Sequence, residues 1–356
     1  MVKSIPGIIP FPDGAESNPF FGALASALVP ALGYTEETPF FCGQKNSYCI
    51  VCGNCKCSTL RKHRMLLYHD YQTFTGVSLS FVWPEEKSPY QTLPGWHEHW
   101  RWPDEFLGFI FAYAGLSWKK LPKETSKDDV IAAAMATIDN GIPLLMKPGE
   151  GQDWHVITGY DDAGVLYGLD GHRHPDLSPL PDWYSHFKNA VLITGRAPKT
   201  IGFPEILSRL IQVLEHPANA RLESDLMTKL DAVKAENSLE TAGWLLGIVG
   251  FPIEARWHAA DSSLIRQTEN PAAKEKIFGM IRQYVFDSEL DATHGTCWKI
   301  WAQLGVGPKT NYQLPPDAED RLLKPETQAE LKRLFGIVFY NDRVVLELLR
   351  EACGFL

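Results

Sequence analysis

Residues 141–171 constrain the fold of this chain more than any other stretch. Gly141-Ile-Pro-Leu-Leu-Met-Lys147, Trp154-His155-Val-Ile-Thr-Gly-Tyr-Asp161 and Val165-Leu-Tyr-Gly-Leu-Asp170 are three short apolar runs separated by Gly, Pro and Asp clusters. Such runs predict consecutive strands of an antiparallel sheet. Pro148 and Gly149 break the first run from the second, and Asp161-Asp162-Ala163-Gly164 is turn chemistry between the second and third. In a hairpin turning at 161–164, His155 at the start of one strand comes opposite Asp170 at the end of the next. Alternation puts residues of equal parity on one face, so bulge and turn details decide whether the two side chains meet. A His oriented by a neighbouring carboxylate is the base half of a nucleophilic triad. Without such a meeting they are two unrelated polar residues at strand ends.

Upstream, Asn18 caps and Pro19 opens an apolar helix through Phe20, Phe21, Gly22 and Ala23 to Leu32, where Gly33 stops it. A chain of 356 residues suits one large domain or two ordinary ones, and 45% hydrophobic residues with eleven Trp supply core material. The net charge of −9 argues against a nucleic-acid or anionic-membrane partner. No run reaches the length of a membrane span. Residues 1–14, with Pro6, Pro10 and Pro12 and no long apolar core, do not read as a signal peptide. The expected location is therefore cytoplasmic, where cysteines are thiols or metal ligands rather than disulfides.

Five of the seven cysteines, Cys42, Cys49, Cys52, Cys55 and Cys57, crowd into one short segment followed by Arg61, Lys62, His63 and Arg64. Cys49-Ile-Val-Cys52-Gly-Asn-Cys55 resembles a zinc knuckle, whose Gly lets backbone amides turn toward thiolate sulfur. The same spacing matches three ligands of an iron–sulfur cluster, but the distant fourth Cys-Pro is absent. Zinc is the first reading, free thiols in a polar insertion the second, iron–sulfur the third.

The strand pair Gly-x-Pro-hydrophobic and His-x-hydrophobic-x-Gly-Tyr-Asp, seen here as 141–147 and 155–161, resembles the second half of the papain-like fold of the bacteriocin-leader peptidases and the butirosin-biosynthesis acyltransferases. The resemblance implies His155 as base and Asp170 as its orienting acid, neighbours at one end of the sheet that face the helix start at Asn18. It also implies a nucleophilic Cys at the start of that helix, where the dipole favours a thiolate. Phe21-Gly22-Ala23-Leu24 holds that place, so the Cys is missing and Phe21 stands at the nucleophile position. Upstream, 13–17 contains no Gln to donate to an oxyanion. Ser17 is a weak substitute nucleophile, and Cys42 lies at the wrong helix end. The alternating run from Thr75 to Trp83 predicts a strand and resembles the family's Gly-x-Ser-x-x-Phe stretch beside the cleft. His97 and His99, in an aromatic loop, form a weak metal signal beside the simpler reading of a lid.

Helical periodicity follows from Gly202: 205–214, 222–234, 239–246, 253–266, 271–287, 294–304, 325–335 and 344–353 each predict a helix. The expected architecture is α+β: a papain-like domain over 1–197, with a Cys-rich insertion at 42–64, then an α-helical domain over 200–356. The leading functional expectation is a pseudoenzyme whose cleft binds a small molecule, peptide, amino acid or acyl carrier. One alternative is an active acyltransferase or amidohydrolase using His155 and Asp170; another is a metal-binding regulatory or redox protein built on the cysteines. If the knuckle forms, metal analysis of the purified protein finds about one equivalent of zinc, lost to a strong chelator. No zinc or iron, with all five thiols titrating freely, rejects both metal readings.

Overall fold

The computed structural model describes residues 1–8, 19–40, 58–79, 103–147, 154–169, 177–248, 253–286 and 292–356. Its architecture is mixed α/β: an antiparallel sheet of seven strands and a larger number of helices. The chain divides into two compact units, 1–71 with 102–202, and 72–101 with 203–356. The second unit thus begins close to the expected boundary near 200, but it also takes 72–101. No helix among the described residues is long and apolar enough to cross a membrane.

The sheet lies in the first unit. Its strands are β1 (Val2–Ser4), β2 (Leu116–Pro122), β3 (Leu144–Lys147), β4 (His155–Asp161), β5 (Leu166–Leu169), β6 (Ser178–Pro179) and β7 (Asn189–Arg196). The order is β2-β7-β3-β4-β5-β6, and β1 pairs with β4. β3 takes the first half of β4, from His155 to Ile157, and β1 takes the second, from Gly159 to Asp161. The hairpin between β4 and β5 turns where its Asp and Gly residues require. Asp161 Oδ1 accepts from the N–H groups of Ala163 and Val165, both at 2.9 Å, and Gly164 takes a left-handed φ of +76°.

A bulge follows. Ile157 pairs with Gly168 and Gly159 with Tyr167, which leaves Thr158 as the extra residue of β4 toward β5. The Thr158 carbonyl instead accepts from the N–H of Ile5 at 2.9 Å. Gly159 is a spatial necessity here: a Cβ on it would lie 2.8 Å from the Lys3 carbonyl oxygen, so any side chain would push β1 off β4.

Both faces of the sheet are buried. Helix α4 (Lys127–Asp139), capped by the Ser126 hydroxyl on the Asp129 N–H, lays Val130, Ala134 and Ile138 on Leu144, Met146, Ile157, Leu166, Ala190 and Leu192. Leu145, Val156 and Val191 alternate to the other face and are equally buried. Helix α1 (Pro19–Ala31) packs against β3 and β4, and none of its buried side chains belongs to the α4 core. It therefore covers that second face. Helix α3 (Pro103–Ala114) leads into β2, with Phe111 stacked on Trp118 at 5.5 Å.

Helix α2 (Thr59–Phe74) begins under a clamp. Its Thr59 N–H donates to Glu36 Oε2 at 2.8 Å, and the His63 imidazole stacks on Tyr34 at 4.3 Å while Nε2 lies 3.2 Å from the Thr38 carbonyl. The two ends of the cysteine-bearing segment are thereby held together. Cys42, Cys49, Cys52, Cys55 and Cys57 themselves lie outside the described residues; 59–64, read as part of the insertion, is the start of α2. The strand expected from Thr75 is absent over the described part: 77–79 is a 3-10 turn, because Gly76 at φ +80° reverses the backbone and the Leu79 N–H bonds back to its carbonyl.

The second unit carries α5 (Phe203–Leu214), α6 (Pro217–Asp231), α7 (Ser238–Ile248), α8 (Trp257–Asp261), α9 (Pro271–Ile281), α10 (Thr293–Gln303), α11 (Ala318–Leu322) and α12 (Pro325–Cys353). The two helices expected at 325–335 and 344–353 are one, because the intervening segment has no Pro and buries Val338, Phe339, Asn341 and Asp342 as the flanking turns do. The single helix expected over 253–266 is broken into short pieces, where extended Ser262 bonds its hydroxyl to the Ala259 carbonyl.

A buried ion pair ties α12 to the segment before α8. Arg256, wholly buried, donates Nε to Asp342 Oδ1 at 2.8 Å and Nη2 to Oδ2 at 2.6 Å. The Tyr284 hydroxyl adds a bond of 3.0 Å to Asp342, its phenol pushed well above the ordinary range by burial and by that carboxylate, so it stays protonated as a donor. Beside them Gln283 donates to Asn341, which donates to Thr293. Tyr284 and Gln283 sit on a π-helical turn, 282–286. In chemical denaturation, Asp342→Asn is expected to cost about 3–5 kcal/mol, because it strands a buried guanidinium. A loss below about 1 kcal/mol contradicts this account of the network.

Candidate functional site

The site is the junction between the start of α1 and the start of β4. Pro19 opens the helix with its φ already set, and an apolar first turn follows, Phe20-Phe21-Gly22-Ala23. Phe20 and Phe21 are buried, Phe21 completely. The Phe20 ring lies 5.0 Å from Trp154 and 5.9 Å from Phe106 of α3. Phe21 meets Phe106 edge to face at 5.6 Å and Phe20 at 5.3 Å. Four rings thus close the helix start in the inclined geometry that aromatic quadrupoles favour.

His155 is the first residue of β4 and is buried, with 8% of its surface exposed. Its Cα partner on β3 is Met146, so the two side chains leave one face of the sheet. Met146 and Ile157, of the same parity, belong to the α4 core. Trp154 and Val156 have the opposite parity, and it is Trp154 that touches Phe20. The residue of this strand seen against the helix start is therefore Trp154, one position before the expected imidazole.

Val156 pairs with Leu169, which ends β5. Asp170, Ser17 and Asn18, the last expected from the sequence as the helix cap, lie outside the described residues, as do His97 and His99. Among the described residues no group of three or more His, Cys, Asp or Glu side chains is placed to hold a metal ion.

The sequence reading singled out His155 and missed a second buried polar set on α2. Arg64, His69 and Asp70 are all buried there. Burial, and secondarily the Arg64 charge, pull the His69 pKa down to about 3, so this imidazole is neutral through the physiological range. The available signal was the density of polar residues between apolar ones in His63-Arg-Met-Leu-Leu-Tyr-His-Asp70, too many for one exposed helix face.

Comparison with protein-family models, with curated proteins and with solved structures finds no match to this chain.

Proposed function

We propose that the first unit is a papain-like fold whose catalytic position has been given over to packing, a pseudoenzyme that binds a peptide, amino acid or acyl-carrier ligand without turning it over. The supporting observation is the four-ring closure of the helix start by Phe20, Phe21, Phe106 and Trp154. Nucleophilic acyl chemistry needs a thiolate or activated hydroxyl at that helix end, within reach of the imidazole that takes its proton. A wholly buried phenyl at position 21 offers neither nucleophile nor room, and the parity of β4 turns Trp154 rather than His155 toward the helix.

The test compares the wild type with Phe21→Cys, using a cysteine-directed alkylating probe and generic thioester and amide substrates. The wild type is expected to show no turnover, and labelling to fall on the cysteines of 42–57 and on the exposed Cys353, with none at the helix start. Phe21→Cys is expected to gain a label at position 21, since the helix dipole lowers a thiol's pKa, and His155→Ala is expected to leave that label unchanged, because β4 turns the imidazole to the other face of the sheet. Robust turnover by the wild type, abolished by His155→Ala, overturns the pseudoenzyme reading and directs the search to Ser17. A label at position 21 of the Phe21→Cys variant that is lost with His155→Ala places a working imidazole at the helix start and overturns the disabled-site reading.

A further inference from the structure

Helix α10 carries His294, Trp298 and Trp301 at i, i+4 and i+7, one face of a helix. Tyr312 joins them from the following loop, its ring 5.9 Å from each indole. We propose that this face of the second unit is a binding site for a neutral saccharide, closed by Tyr312 in the conformation described here.

The hydrogen bonding sets the ligand's chemistry. The Trp298 indole N–H donates to His294 Nε2 at 3.2 Å. An indole nitrogen can only donate, so Nε2 is the acceptor and the imidazole carries its hydrogen on Nδ1. That Nδ1–H is buried, and so is the indole N–H of Trp301, and neither has an acceptor among the described residues. Trp301 itself is only 6% exposed. Buried donors are nearly always satisfied, so two on one helix face ask for an oxygen from outside. Desolvation holds the His294 pKa below its ordinary value and keeps the ring neutral, so this face has no need of an anion. Two inward N–H dipoles also disfavour the quaternary ammonium ions that aromatic cages take by cation–π attraction.

The rings supply the remainder. Trp298 and Trp301 meet at 5.1 Å and 90°, and Trp298 and Tyr312 keep 38% and 45% of their surfaces in solvent. Flat apolar faces beside oxygen-seeking donors match a pyranose, which has a C–H face and a rim of hydroxyl acceptors. Tyr312 is the closing element. Asn311 and Tyr312 both hold left-handed backbones, φ +50° and +58°, which L residues other than Gly adopt at a cost and an aromatic residue rarely. The closed state thus carries one strained residue, Tyr312, since Asn tolerates this region, and two orphaned donors. Moving the Tyr312 ring away uncovers the Trp301 indole on which it packs.

Calorimetric titration of the whole chain with cellotriose, maltotriose and chitotriose tests the proposal. At least one is expected to bind in the millimolar range or tighter, with tetramethylammonium giving no heat. Trp301→Phe keeps an aromatic ring in the core but loses the indole N–H with its five-membered ring, and it should weaken binding about tenfold while the circular dichroism stays that of the wild type. Trp298→Ala should abolish it; if that variant does not fold, Trp301→Phe decides alone. No binding of any of the three sugars, or equal binding by Trp301→Phe and wild type, overturns the proposal.

Discussion

The first unit depends on the contact between an apolar helix and the strands it covers. Helix α1 buries almost every residue from Phe20 to Ala31 against the face of the sheet that α4 leaves free. Its first turn, where a helix leaves N–H groups unpaired and favours negative charge, is given to two phenyl rings. Burying an aromatic side chain contributes on the order of 2–3 kcal/mol relative to leaving it in water. A thiolate and its oxyanion site would forgo that contribution and admit water to the same place. On the proposed papain-like reading, stability and acyl chemistry compete for this one turn, and the aromatic residues hold it.

The second unit solves a different problem. Its long helix α12 runs through an apolar core of Leu331, Leu334, Phe335 and Val338, which would tolerate sliding by a turn. Arg256, Tyr284 and Asp342 fix the register, because a guanidinium out of reach of its carboxylate would be buried alone. The adjoining Gln283–Asn341–Thr293 bonds extend that constraint to the π-helical turn and to the start of α10. The same helix α10 then carries the His294–Trp298–Trp301 face, so its placement and the indole cluster rest on one polar network.

What could be read in the sequence was local. The hairpin at 161–164 follows from Asp and Gly within four residues, and α5, α7 and α10 follow from apolar residues at helical spacing. The alternation of Val77, Leu79 and their neighbours imitated a strand, and only the reversal at Gly76 decides otherwise. The extra residue at Thr158 lies where β1, residues 2–4, joins β4, and no window around β4 contains that strand. The candidate site was legible in its parts only: Phe21 at the helix start and His155 at the strand start were both found. Their relation was not, because Phe106 comes from a distant helix and the parity that presents Trp154 belongs to the assembled sheet.

Hydrogen exchange at the first turn of α1 tests the central claim most directly. A helix start sealed by Phe20, Phe21, Phe106 and Trp154 predicts that the first amides bonded within the helix, those of Ala23 and Leu24, exchange as slowly as those of β3 and β4, without any added ligand. Exchange of that turn within seconds, while β3 and β4 stay protected, would mean that the helix start opens to solvent as a catalytic cleft does, and would contradict the account.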